Sequence, residues 1–126
     1  MEIDLSKKKL RYFKMAKEVS KFGKDKDHKL GCILVHKGKV ISKGYNSYKT
    51  SSAVYNPFKT LHAETHALLQ VKGDISGAVL YIHREIACGQ LALSKPCYFC
   101  HKMIKERGIK KVYYTDNQKY NFYKVV

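Results

Sequence analysis

Two short stretches carry side chains able to do chemistry. Leu61-His62-Ala63-Glu64-Thr65-His66 supplies imidazoles and a carboxylate, and Lys95-Pro96-Cys97-Tyr98-Phe99-Cys100 supplies two thiols. Cysteine sulfur and histidine nitrogen are ligands of Zn2+, which they usually hold tetrahedrally. The spacing of Cys97 and Cys100 puts both sulfurs on one face of a helix. Pro96 marks where that helix starts, and there the free N–H groups and the positive dipole end favour thiolates, the metal-binding form. His62 offers a third ligand. Three protein ligands leave a fourth position for water, whose pKa zinc lowers from about 16 toward 7. Glu64 is then a candidate for the base that moves the water's proton. One condition applies. Two residues apart in mid-helix point roughly opposite ways, so His62 and Glu64 converge only if His62 occupies the first, non-helical position.

Other uses of the same residues compete. His66 lies four residues after His62, and with His62, Cys97 and Cys100 it would close a structural Cys2His2 zinc module, at the cost of leaving Glu64 and Pro96 without a role. Cys97-x-x-Cys100 also reads as a redox pair. His62-x-x-x-His66 is not a metalloprotease motif, because no Glu follows His62 directly. Cys88 with His83 would make a second metal site, while Cys32 sits in an apolar run and reads as a small core residue. Tyr98 and Phe99 lie between the metal cysteines, hence near any pocket, and Tyr45, Tyr48, Tyr55 and Phe58 add rings that can stack on a base.

These residues need a frame. Residues 4–22 show helical periodicity, with Asp4 or Ser6 as cap and Gly23 as stop. Leu30 to His36 and Val40 to Asn46 are strands joined by a Lys37-Gly38 turn. Residues 47–60 read as a long loop. A helix from His62 to Val71, a strand from Ala78 to His83, a helix from Cys97 to Arg107 and a strand from Lys111 to Thr115 follow. Asp116 to Lys119 can turn, and Tyr120 to Val126 can return as a fifth strand. The order α-β-β-α-β-α-β-β is that of an α/β domain.

The chain has 126 residues, enough for one domain with a real core, and its 44% hydrophobic content argues against disorder. No apolar run approaches the roughly 20 residues of a membrane helix, and the early acids Glu2 and Asp4 are unlike a signal peptide. A membrane is therefore not an expected partner, and the expected location is cytoplasmic, or the host cytoplasm for a viral chain. The formal charge of +15 suggests a polyanionic partner such as nucleic acid. Yet of 25 basic residues only Arg11, Arg84 and Arg107 are Arg. A groove that grips phosphates would use more of them, and a Lys-, Tyr-, Ile- and Asn-rich chain also matches the output of an A/T-rich genome.

The combination of H-x-E with P-C-x-x-C resembles the signature of the cytidine/deoxycytidylate deaminase superfamily. The resemblance runs from about Leu30 to Thr115, with Leu30 to Asn46 as the strand pair before the motif and Ile109 to Tyr114 as the strand after the second metal helix. A histidine as first ligand is similar to the deoxycytidylate, tRNA-adenosine and polynucleotide branches. The resemblance implies an α/β, cytidine deaminase-like three-layer fold: one domain over residues 1–126, with a mixed five-stranded sheet and helices on both faces. It implies Zn2+ on His62, Cys97 and Cys100, and Glu64 as proton shuttle. It further implies that Asn46 contacts the nucleoside, the Ala63 N–H holds the pyrimidine carbonyl and the Ser94 carbonyl faces the leaving amine; Tyr98 joins these by its place in the chain. The expected reaction is hydrolytic deamination of a free cytosine nucleotide or nucleoside, dCMP first, by a homo-oligomer. A deaminase of single-stranded DNA, RNA or tRNA adenosine is the runner-up and the Cys2His2 module the third reading. Two departures stand out. Arg84 to Lys95 intervenes before the second motif, where many members run almost directly on. A direct turn at Asp116-Asn117 would make the fifth strand antiparallel, as in the free-cytidine branch rather than the nucleic-acid branches.

Overall fold

The computed structural model describes residues 6–23, 29–48, 60–86, 90–116 and 119–125. The candidate cap Asp4, the rings of Tyr55 and Phe58, Cys88 and its proposed metal site with His83, and the turn residue Asn117 lie outside the described residues. Helix α1 (Lys7–Ser20) begins at Ser6, whose hydroxyl accepts the Lys9 N–H and so satisfies one of the donors a helix start leaves open. Strands β1 (Lys29–His36) and β2 (Lys39–Tyr45) form a hairpin. Its turn residues Lys37 and Gly38 have φ of 53° and 77°, the left-handed pair that matches strand twist in a two-residue turn.

The connection read as a loop over 47–60 is partly ordered otherwise. Its ends pair as a short antiparallel ribbon, β3 (Ser47–Tyr48) with β4 (Thr60–Leu61). Two-residue strands are too short to show a period of two, so the sequence carries no signal for them. Then follow α2 (Ala63–Leu69), β5 (Val79–Glu85), α3 (Tyr98–Glu106), β6 (Lys111–Asp116) and β7 (Lys119–Lys124).

The main sheet has the order β2-β1-β5-β6-β7. Strand β1 runs antiparallel to β2 and β5, whereas β5 and β6 are parallel. A parallel pair needs a crossover, and α3, the helix carrying the cysteines, provides it. Strand β7 returns antiparallel on β6, with Asp116 paired to Lys119.

Alternation along the strands divides the core into two layers. Cys32, Leu34, Leu80, Ile82 and Val112 face Ala63, Ala67 and Leu68 of α2 and Ile104 of α3. Ile33, Val35, Tyr81 and Tyr113 face Tyr12, Phe13, Ala16 and Val19 of α1. The second layer is aromatic: Tyr81 and Tyr113 stack at 4.7 Å, and Phe13 meets Tyr81 edge-on at 5.4 Å. The result is a three-layer α/β fold with a mixed five-stranded sheet and helices on both faces. Close approach of α2 to the sheet depends on Gly44, where a side chain would overlap the Ala63 carbonyl and the Ala67 main chain. Among the described residues, no helix is long and apolar enough to cross a membrane.

Candidate active site

Both reactive stretches enter the fold at helix starts. His62 is the N-cap of α2, with extended φ and ψ of −72° and 153°. This is the non-helical position that lets an imidazole and a carboxylate two residues apart converge. Cys97 is likewise the N-cap of α3, at φ −71° and ψ 172°. Neither side chain caps its own helix, so both are directed elsewhere. They meet: His62 Nδ1 lies 3.2 Å from Cys100 Sγ and 3.5 Å from Cys97 Sγ. His62, Cys97 and Cys100 are the cluster of metal-competent groups found among the described residues.

His66 is not in it. Its Nδ1 lies 3.1 Å from the Tyr45 N–H nitrogen, which donates to it, and its ring stands edge-on to Tyr45. The closed Cys2His2 module is thereby overturned, because the turn of helix between His62 and His66 aims the second imidazole at β2. Both thiols are free and approach the same imidazole.

Glu64 is buried, with 3% of its surface exposed. Burial raises its carboxyl above the usual range, opposed by its own backbone N–H, by His62 and by a hydrogen bond with Cys100. Burial also pushes the Cys100 thiol well up, with the charge of Glu64 adding to the effect. Glu64 Oε1 has no hydrogen-bond partner among the described residues. The buried Glu64 carboxyl and Cys100 thiol thus converge with the half-buried Cys97 and His62, and bringing carboxylate and thiolate charge together there is costly unless a cation compensates it. Zn2+ fits. Tetrahedral bonds of about 2.3 Å to sulfur and about 2.0 Å to nitrogen place ligand atoms about 3.5–3.8 Å apart, close to the separations observed. Thr65 Oγ1, 3.5 Å from Cys100 Sγ, supports that ligand from behind.

A cavity of 250 Å3 opens onto the cluster, lined by Asn46, His62, Ala63, Glu64, Ser94 and Cys97, with Leu30, Arg84, Leu93 and Lys95. Asn46 Oδ1 accepts the Leu30 N–H at 2.9 Å, which ties the end of β2 to β1. Ser94 is buried and its polar groups serve the frame: its N–H donates to Thr115 O and its hydroxyl to Ile82 O. Tyr98 is placed apart from the expected group. It is 74% exposed and does not line the cavity; it borders a shallow groove with Phe99, Lys102, Met103 and Glu106. The helix geometry explains this. With Cys97 at the N-cap and Cys100 three residues on facing the cluster, the two residues between them turn outward.

The sequence reading missed Thr115. This fully buried residue takes the Arg84 N–H on its hydroxyl, donates that hydroxyl to Ala92 O and gives its own N–H to Ser94 Oγ. It fastens the segment after β5 to β6. A threonine in a strand carries no sequence signal for such a role.

The sequence pattern of the family described as "Cytidine and deoxycytidylate deaminase zinc-binding region" matches residues 6–116. An uncharacterized deaminase in the luxG 3′ region of Aliivibrio fischeri is 30% identical over 117 residues, spanning 86% of this chain and 73% of that protein. The crystal structure of dCMP deaminase from the cyanophage S-TIM5 superposes with a TM-score of 0.65 at 28% identity, covering 86% of this chain and 82% of that one; the same enzyme has been solved with dCMP and dUMP. Cytidine deaminase from Burkholderia pseudomallei, at 18% identity and TM-score 0.68 over 96% and 94% of the two chains, shares the fold. A match over most of the chain, with the histidine and both cysteines converging beside a buried glutamate, makes this chain a member of the cytidine and deoxycytidylate deaminase family.

Proposed function

We propose that the chain hydrolyses the exocyclic amine of a free cytosine nucleotide, with dCMP as its first substrate, releasing ammonia and the uracil form. The observation that carries this is Glu64, buried and with one oxygen unpartnered among the described residues, lining a small cavity beside the three residues able to hold a metal. At 250 Å3 the cavity is just below the range of ligand pockets, about 300–1,000 Å3, and suits one nucleotide better than a run of them. The likeness to a phage enzyme solved with dCMP and dUMP points the same way.

The residues divide the work. A Zn2+ held by His62, Cys97 and Cys100 supplies Lewis acidity and brings the pKa of water toward about 7. Glu64 takes a proton from the attacking water and gives it to the ring nitrogen, then passes the second proton to the departing amine. Burial raises its pKa, which favours the proton-accepting half of that cycle. Ala63 is the first residue of α2, so its N–H has no acceptor within the helix and is available to a pyrimidine carbonyl. Asn46, held by Leu30, presents its amide to the sugar, and the Ser94 main chain faces the amine.

Ammonia release from zinc-loaded protein tests this, with cytidine, deoxycytidine, CMP, dCMP, a cytosine-containing single-stranded DNA and an adenosine-containing tRNA hairpin offered in parallel. Turnover is expected on dCMP and absent on the polymers. Glu64→Gln should lower it by about 100- to 10,000-fold while the zinc content stays unchanged. Turnover on a polymer alone would overturn the reading and make the Lys-rich surface the binding face.

A further inference from the structure

The end of β5 and the segment that follows it each bring a cation to the mouth of the cavity. Arg84 and Lys95 line it, with Leu30 and Leu93 as its apolar walls, and among the described residues Glu64 is the one acid of the lining. Arg84 is held in place. Its N–H donates to Thr115 Oγ1 at 3.2 Å, its carbonyl accepts the Ala92 N–H at 3.0 Å, and its guanidinium donates to Leu93 O at 2.9 Å. The Lys95 ammonium stands 5.4 Å above the Tyr123 ring. Composition does not explain the arginine. Only three of 25 basic residues are Arg, and Arg107 is committed to the carbonyls of Leu68 and Val71 past the end of α2. A guanidinium offers a planar fork that matches phosphate oxygens, which an ammonium cannot do. Cations around a concave apolar wall also concentrate the field on an anion.

We propose that Arg84, seconded by Lys95, receives the 5′-phosphate of the substrate and makes the site selective for nucleoside monophosphates over nucleosides. This rests on the deaminase reading of the same cavity and names the group that sets its substrate class.

The test is the ratio of kcat/KM for dCMP over deoxycytidine, in which a general loss of folding or of metal cancels. The wild type should favour dCMP. Loss of a charge-assisted contact in Arg84→Gln should lower the ratio about 10- to 100-fold. Arg84→Lys, which keeps the charge without the fork, should fall between. Lys95→Gln should lower it less, because Lys95 is exposed and screened. Lys43→Gln, on the outer face of β2, should leave it unmoved. A ratio near one in the wild type, an unchanged ratio in Arg84→Gln, an equal fall in Lys43→Gln, or turnover confined to an oligonucleotide would overturn the proposal. Calorimetric titration of the zinc-loaded protein with dUMP and deoxyuridine separates the two layers. Arg84-dependent preference for dUMP without turnover of any monomer would sink the reaction and leave the rim standing. Turnover of both monomers with no Arg84 effect would do the reverse.

Discussion

His83 shows how a single side chain ties stability to pH away from the candidate site. It lies on the α1 face of β5 with 1% of its surface exposed. Its Nε2 donates to Glu85 Oε1 at 2.7 Å, and Lys17 pairs with the same oxygen at 3.5 Å. Its Nδ1 has no partner among the described residues. Protonation would place a second N–H there with no acceptor, and burial accordingly lowers its pKa, with Glu85 opposing and Lys17 assisting. The folded chain therefore binds this proton less readily than the unfolded chain, whose histidine titrates near 6.5. Stability should be level above about pH 7 and fall as pH drops through 6.5 toward the depressed value. Between pH 7 and 5, the thermal midpoint of His83→Gln should fall less than the wild type's; equal falls in scanning fluorimetry would remove His83 as the cause. At this scale the sequence was readable where spacing fixes direction. His62, Glu64, Cys97 and Cys100 each take the orientation that their positions at helix starts dictate, and Tyr98 does not reach the cavity because proximity along the chain was set against the turn of α3. His83 and Thr115 were opaque, since burial and partners arise only when β5, β6 and α1 come together.

The elements act as mounts. Helix α2 carries His62 and Glu64 on its first turn and lies against β2 where Gly44 offers no side chain. Gly44→Ala would drive a methyl group into the Ala63 carbonyl and the Ala67 main chain, so the helix must shift outward. The expected cost is about 1–3 kcal/mol, with weaker zinc retention on dialysis because the His62 ring moves with the helix. Normal zinc content together with normal stability would show that the contact has slack. The hairpin of β1 and β2, the three helices and the five strands of the sheet follow from patterns of apolar residues with Gly, Ser and Pro as punctuation. The ribbon of β3 with β4, and the bridge that folds Glu85 against Leu91, involve too few residues for any period. The ribbon adjoins Asn46 and His62 in the chain, and the bridge lies between Arg84 and Leu93, so the pieces without a sequence signal flank residues that line the cavity.

The whole molecule has a formal charge of +15, and its sheet ends in strands bearing Lys39 and Lys43 on one edge and Lys119 and Lys124 on the other. Lysines on edge strands discourage pairing with a second sheet, a use of charge that requires no polyanion. The residues proposed to hold the metal sit at the N-caps and first turns of α2 and α3, and among the described residues neither helix adds a metal-competent group to that cluster from its last turn. The chain is therefore free to change length at one end of these helices and constrained at the other. Gly73, beyond α2, is exposed with open space around it. Two glycines inserted after it should leave zinc stoichiometry intact and cost less than about 1 kcal/mol, since loop closure depends weakly on length. One residue inserted between Lys95 and Pro96 adds about 3.3 Å of chain at the point where both thiols are aimed, and zinc stoichiometry should collapse. Equal tolerance at the two points, read by metal analysis, would contradict this. Relatives of this protein should then vary in length beyond the far ends of the two helices and hold constant the few residues that lead into them.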